Sequence, residues 1–264
     1  MSTAASAPPM RAGEMRREYI YPHRSVRAFP VSRLRAAAAI VLAASLTAGV
    51  ARFAGTLLDL HHRITSLTIK IAGIPAGETT AVRVFSYPGT VPAASVPIPR
   101  HGDNPWRAPV LFFATLAALT LVHRLVPLAR SFILFLSVLL CAAGLVIIVH
   151  PMFAFDAATY QKIWLQGEFL VWLLLPWVSA FLFVLTLPAF FHGVAWMLAV
   201  QAYALFWSAV RLAFCLGVFH ITGILYVPLL WFCLGVLFDL VYLLAFYALA
   251  LGLALPRAVG RRRS

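Results

Sequence analysis

Two charged residues, Arg211 and Asp239, stand deep inside long apolar runs. A charge at mid-bilayer costs roughly 2.5–3.5 kcal/mol on insertion scales, so each must face protein or water. With the outer loop between these runs centred near Gly223, Arg211 is expected about 12 Å below the outer boundary and Asp239 about 18 Å. The long arginine side chain closes a gap of about 6 Å, which predicts an Arg211–Asp239 ion pair between adjacent helices. Such a pair serves either as a lock between helices or as a proton or substrate site, and the lock is the simpler reading.

A second chemistry is thiol-based. Trp207, Arg211 and Cys215 recur every four residues and share one helix face. A guanidinium beside a thiol favours the thiolate. His220 lies five residues beyond Cys215, rotated by roughly 140°, so one helix does not present a Cys–His dyad. A histidine from another span, His150 or His192, would have to complete it, and both lie at span ends. If the chain is an enzyme, the catalytic candidates are therefore Cys141, Cys215, Arg211 and His220. Cys141, Cys215 and Cys233 all sit in apolar runs without C-x-x-C spacing, which supports neither a disulfide framework nor zinc. Small apolar packing residues are the default for each. Glu168, beside Gln166, is expected to cap the N-terminus of its helix. Asp59, His61 and His62 cluster at the outer end of the first span. In an extended segment adjacent histidines point to opposite sides, so a shared metal site has little support. No pattern calls for a cofactor or a metal.

The elements that position these residues follow from composition. The chain has 264 residues, 62% hydrophobic and 11% charged, against about 25% charged in a soluble domain. Lipid must cover much of its surface. A net charge of +13 in a soluble protein would suggest nucleic acid. Here the arginines cluster at membrane edges, where the positive-inside rule accounts for them, so no nucleic-acid partner is expected.

Residues 1–33 carry arginines without apolar periodicity and read as a disordered basic tail. Arg16-Arg17 lies too far from the first apolar run for a twin-arginine signal. That run, 36–60, lacks a clean cleavage site and reads as a retained anchor within a first segment of 34–60. Residues 61–107 differ in kind. The stretch 63–71 alternates apolar and polar residues, with Leu67, Ile69 and Ile71 on one side, and 80–87 repeats the pattern through Val82 and Val84. Two such runs separated by Gly/Pro turn residues predict a small β-hairpin in an external insert. Residues 91–99 are proline-rich and extended.

Five further spans are expected within 108–256: 109–126, 131–149, 168–190, 194–219 and 226–255. A polar external loop over 150–167 and a tight turn at His192-Gly193 would separate some of them. Breaks at Pro176 or Pro188 are open alternatives. Residues 257–264 form a second basic tail. Seven arginines precede the first span, two lie in the middle turn and four close the chain. This bias places both termini in the cytoplasm. Trp106, Trp164, Trp172, Trp196 and Trp231 fall near expected interfaces, as an aromatic belt would. The fold class is thus an all-α polytopic membrane protein of about six transmembrane helices with a small β-rich extracytoplasmic insert.

Two stretches carry a resemblance. The segment from Trp106-Arg-Ala-Pro-Val-Leu to Leu-Pro-Trp177 includes His-Arg-Leu-Val-Pro-Leu-Ala-Arg130 and Val-Ile-Ile-Val-His-Pro151. With the preceding span and insert it resembles the small membrane proteins that accompany bacterial exosortases. Cys141-Ala-Ala-Gly144 is similar to the Cys-x-Gly element of exosortases themselves, and Trp-Ser-Ala-Val-Arg211 to their arginine-bearing helix. The chain departs from that pattern: no Asn precedes the Arg, and no His follows in the last span. The resemblance implies an inner-membrane accessory protein, non-catalytic, serving surface-protein or exopolysaccharide processing and export. Its partners would be the lipid bilayer and another envelope membrane protein bound through 61–107. The alternatives are an exosortase-like cysteine transpeptidase or protease, and a transporter component using Arg211 and Asp239. The absence of repeat symmetry disfavours the last.

Overall fold

The computed structural model describes residues 32–77, 79–84, 89–97, 106–149 and 156–260. The basic tail over 1–31, most of the 98–107 stretch, His150 and the closing arginines 261–263 lie outside the described residues. Among the described residues, five helical stretches are long and apolar enough to cross a membrane: Arg33–Arg52, Arg107–Leu125, Pro127–Val149, Ala157–Leu185 and Phe190–Leu253.

The chain opens with α1 (Arg33–Arg52), capped by the Ser32 hydroxyl, and continues past Phe53 into α2 (Ala54–Ile71). This corrects the expected hairpin. Residues 63–71 alternate in sequence but are helical, because Leu58, His61, Thr65 and Ile69, spaced by three and four, form a buried stripe. Burial at a helical period overrides a short period-2 signal when a neighbouring helix is there to receive it. The insert is therefore not β-rich. Among the described residues it contains two three-residue strands, β1 (Thr80–Val82) and β2 (Val91–Ala93), paired antiparallel with Ala81 opposite Pro92.

Helices α3 (Arg107–Leu125) and α4 (Arg130–Val149) form a hairpin across a short 3₁₀ turn at Pro127–Ala129. Helix α5 (Ala157–Ser179) starts eleven residues earlier than expected, since Asp156 caps it by accepting from the Thr159 N–H at 2.7 Å. The polar 157–167 stretch is thus helix and not loop. Pro176 lies inside α5 and cannot donate to the Trp172 carbonyl. Gln201 Nε2 takes that carbonyl at 3.1 Å, and Thr47 Oγ1 takes the next, Leu173, at 3.1 Å. Neighbouring side chains satisfy what the proline frees, as a water-poor environment requires.

A π-helical turn, Ala180–Leu185, ends this pass. Arg35 closes it from α1, donating through Nε to the Val184 carbonyl at 2.6 Å and also to the Leu187 and Pro188 carbonyls. The chain reverses at 186–189, not at His192-Gly193, which lie inside α6 (Phe190–Thr222). Gly193 is needed for packing: a Cβ there would stand 2.5 Å from the Phe183 carbonyl oxygen.

At Gly223 the backbone adopts φ +68°, which glycine accepts without steric cost. The run then folds back through a 3₁₀ turn (Gly223–Tyr226), the short α7 (Val227–Leu230), a π-helical segment (Trp231–Leu237) and α8 (Phe238–Gly260). Trp196 meets Phe246, Tyr203 meets Tyr242 and Trp207 meets Phe238, so α8 runs antiparallel to α6. Helices α1, α2, α5, α6 and α8 make the packed core. The α3–α4 hairpin attaches to the side through Leu140, Ile147 and Leu225 and through Tyr226, whose hydroxyl donates to the Leu111 carbonyl at 3.2 Å.

Candidate functional site

Four elements converge on one guanidinium. On α5, Trp164, Glu168 and Trp172 recur every fourth residue and face inward; on α6, Trp207, Arg211 and Cys215 do the same. Asp239 and Tyr242 come from α8, and His61 from α2. Arg211 is 3% exposed and Glu168 4%. Arg211 Nη2 lies 2.9 Å from Glu168 Oε1 and 2.7 Å from Asp239 Oδ1. Its Nη1 donates to the Leu234 carbonyl and, at 3.3 Å, to that of Gly235. Both carbonyls belong to the π-helical segment leading into α8, so one side chain ties α5, α6 and the returning pass together. The guanidinium carbon stands 5.8 Å from the Trp164 ring centre and 5.5 Å from that of Phe238, contacts that suit a planar, weakly hydrated cation.

Arg211 and Asp239, paired on sequence grounds, are brought into contact. The geometry differs from the expected one. Helix α6 continues to Thr222, so Arg211 lies twelve residues, about 18 Å, inside the turn at Gly223. Glu168 lies twelve residues inside the cap of α5, the same depth. Asp239 meets them at that level, and no reach of 6 Å is required of the arginine. Glu168 is the member that sequence reasoning misassigned. Expected as a helix cap, it is a buried ion-pair partner in mid-helix. The signal was the Asp156-x-x-Thr159 start, which puts Trp164, Glu168 and Trp172 on one inward stripe.

Trp164 and Trp172, read as belt residues, are instead buried about this centre, while Trp106 is exposed. His61 is buried on α2, its ring 5.6 Å from that of Trp172. The extended geometry assumed for His61 and His62 does not hold, since both are helical. His62 faces another way, with its Nε2 3.3 Å from the Ser66 hydroxyl.

The thiol candidates do not assemble. Cys141 is exposed on α4, beside an apolar groove of about 330 Å³ shared with Phe112, Gly144 and Leu225. Cys215 is fully buried one turn from Arg211, against Tyr160. His220 is occupied elsewhere, with Nδ1 2.6 Å from the Pro97 carbonyl, and His192 accepts from the Trp196 indole at 3.0 Å. Cys233 is half-buried. Among the described residues no three His, Cys, Asp or Glu side chains are grouped to hold a metal. The insert is bound to the bundle through Gln161, whose side chain accepts from the Ala94 N–H at 2.9 Å and donates to the Ala94 carbonyl.

Compared with protein-family models, curated proteins and solved structures, the chain matches none, and nothing among them bears on the exosortase resemblance.

Proposed function

We propose that this chain is a six-pass, non-catalytic accessory protein of a bacterial inner membrane, with both termini cytoplasmic, that presents its outer face to another envelope membrane protein. The observation that carries the reading is the way Arg211 is used. It meets two carboxylates and two carbonyls from three segments at one depth, the pattern of a lock between helices. A catalytic arginine needs an open approach, and this one is enclosed. Neither cysteine has a histidine base beside it in the described geometry. The six passes are the five apolar stretches, with the last counted twice because it doubles back at Gly223. The arginine excess at the chain ends supports the orientation.

The contact surface is the outer segment within 61–107, narrowed to the strand pair and its connections. Residues 64–71 hold up the core and are not available for docking. The exosortase-linked setting, surface-protein or exopolysaccharide processing, rests on the sequence resemblance alone. The test replaces 79–97 with a Gly/Ser linker in the full chain. Membrane insertion is expected to persist while the chemically cross-linked envelope partner is lost. An unchanged cross-linking pattern removes this surface from the proposal.

A further inference from the structure

The charges of the buried centre do not balance. One guanidinium faces two carboxylates, a formal charge of −1 at about 18 Å depth. The titratable groups on the elements packed around it are His61 on α2, Tyr160 on α5, Tyr203 and Cys215 on α6, and Tyr242 on α8. Of these His61 alone could add a positive charge, and its Nε2 is buried with no hydrogen-bond partner among the described residues. A charged imidazole held that way would be costly, so it stays neutral.

Both carboxylates reach the same Nη2, which brings their oxygens close to one another. Two carboxylates sharing one site do not both ionise cheaply. Glu168 is the more buried of the two, and its Oε2 has no hydrogen-bond partner among the described residues; Asp239 Oδ1, likewise outside hydrogen-bond geometry, stands 2.7 Å from the cationic Arg211 Nη2. An ionised carboxylate would leave that oxygen uncompensated, whereas a protonated one removes the surplus charge. Asp239 is the better exposed of the two acids, which makes it the point of exchange with the outside of the bundle.

We propose that the Glu168–Arg211–Asp239 centre is a proton-binding site, carrying one exchangeable proton on the Glu168 carboxyl while Asp239 stays ionised against Arg211. Proton loss sets two carboxylates against each other across the contact that holds the π-helical segment 231–237. The protonation state therefore governs how firmly the returning pass is held. This inference goes beyond the docking proposal and does not depend on it.

The test uses the full chain in lipid nanodiscs, as wild type, Glu168→Gln and Asp239→Asn. Either variant alone leaves a neutral centre with no need of a proton. Infrared difference spectra across about pH 5 to about pH 9, a range in which exposed carboxyls are already ionised, are expected to show one protonated carboxyl in the wild type. It should titrate away as pH rises, shift on ¹³C-glutamate labelling, and be missing from both variants. The folded wild type then holds a proton that the unfolded chain has released, so its folded-to-unfolded ratio falls by up to about tenfold per pH unit through the titration. The same slope should be lost in the variants. Should Glu168→Gln fail to fold, Asp239→Asn decides alone. A wild type without the band, a band that does not titrate, or one that survives in the variants overturns the proposal. So does displacement of the band by sodium chloride but not by potassium chloride at fixed pH, which would make a metal cation the occupant.

Discussion

Removing the guanidinium while keeping both acids separates a lock from a bystander. Arg211→Met keeps most of the side-chain volume and removes two ion-pair contacts and two hydrogen bonds to carbonyls. Hydrogen bonds within membrane proteins average about 0.6 kcal/mol, so four such contacts amount to roughly 2.4 kcal/mol. Stranding a buried charge by deleting its partner costs about 3–5 kcal/mol, and with Glu168 protonated the stranded charge is that of Asp239, whose side chain is 15% exposed. The larger effect decides: a loss of about 3–5 kcal/mol is expected, moderated only if both acids become protonated. Arg211→Met combined with Glu168→Gln and Asp239→Asn leaves no charge to strand and is expected to recover most of it, since replacing a whole buried ion network is often nearly neutral. The assay is reversible unfolding in mixed micelles, followed by tryptophan fluorescence. Trp164, stacked on the guanidinium, is well placed to report. A single variant within about 1 kcal/mol of wild type, the scale of an exposed ion pair, would refute the lock. So would a triple variant as unstable as the single.

Two further perturbations probe the frame around the centre. Gly193→Ala places a Cβ 2.5 Å from the Phe183 carbonyl oxygen and 2.9 Å from Val184 Cα, backbone atoms that cannot swing aside. A loss of about 1–3 kcal/mol in the same unfolding assay is expected, and a neutral variant would show that α6 does not pack so closely. Asp156→Ala removes the cap of α5 at a cost of about 0.5–2 kcal/mol. Hydrogen bonds from Thr159 hold the Asp156 carboxyl below its usual range. Its stabilisation is therefore fully present above the ordinary value of about 4 and lost as pH falls through the depressed one. The gap between wild type and Asp156→Ala should be constant near neutrality and narrow on strong acidification.

What could be read without a structure, and what could not, divides on how local the physics is. The apolar stretches and the positions of Arg211 and Asp239 were legible because transfer into lipid is priced residue by residue along the chain. That these two residues meet could also be anticipated, since a costly charge limits its own partners. Glu168 was missed because its value depends on where α5 begins. Eleven residues of mildly polar helix, 157–167, look like loop until Gln161 is seen bonded to Ala94 and Tyr160 and Trp164 buried. The stretch 63–71 satisfies a period of two and a period of about four almost equally well, and only the neighbouring α6 chooses between them. His61 was placed in an extended segment at the outer end of the first span for the same reason.

The sequence by itself determined that the chain carries several stretches long and apolar enough to cross a membrane, and which two charges within them demand an explanation. Only the tertiary structure decided that the centre holds two acids to one base. Solvation cost is a property of a residue in its run, whereas charge balance is a property of side chains from separate helices brought to one depth.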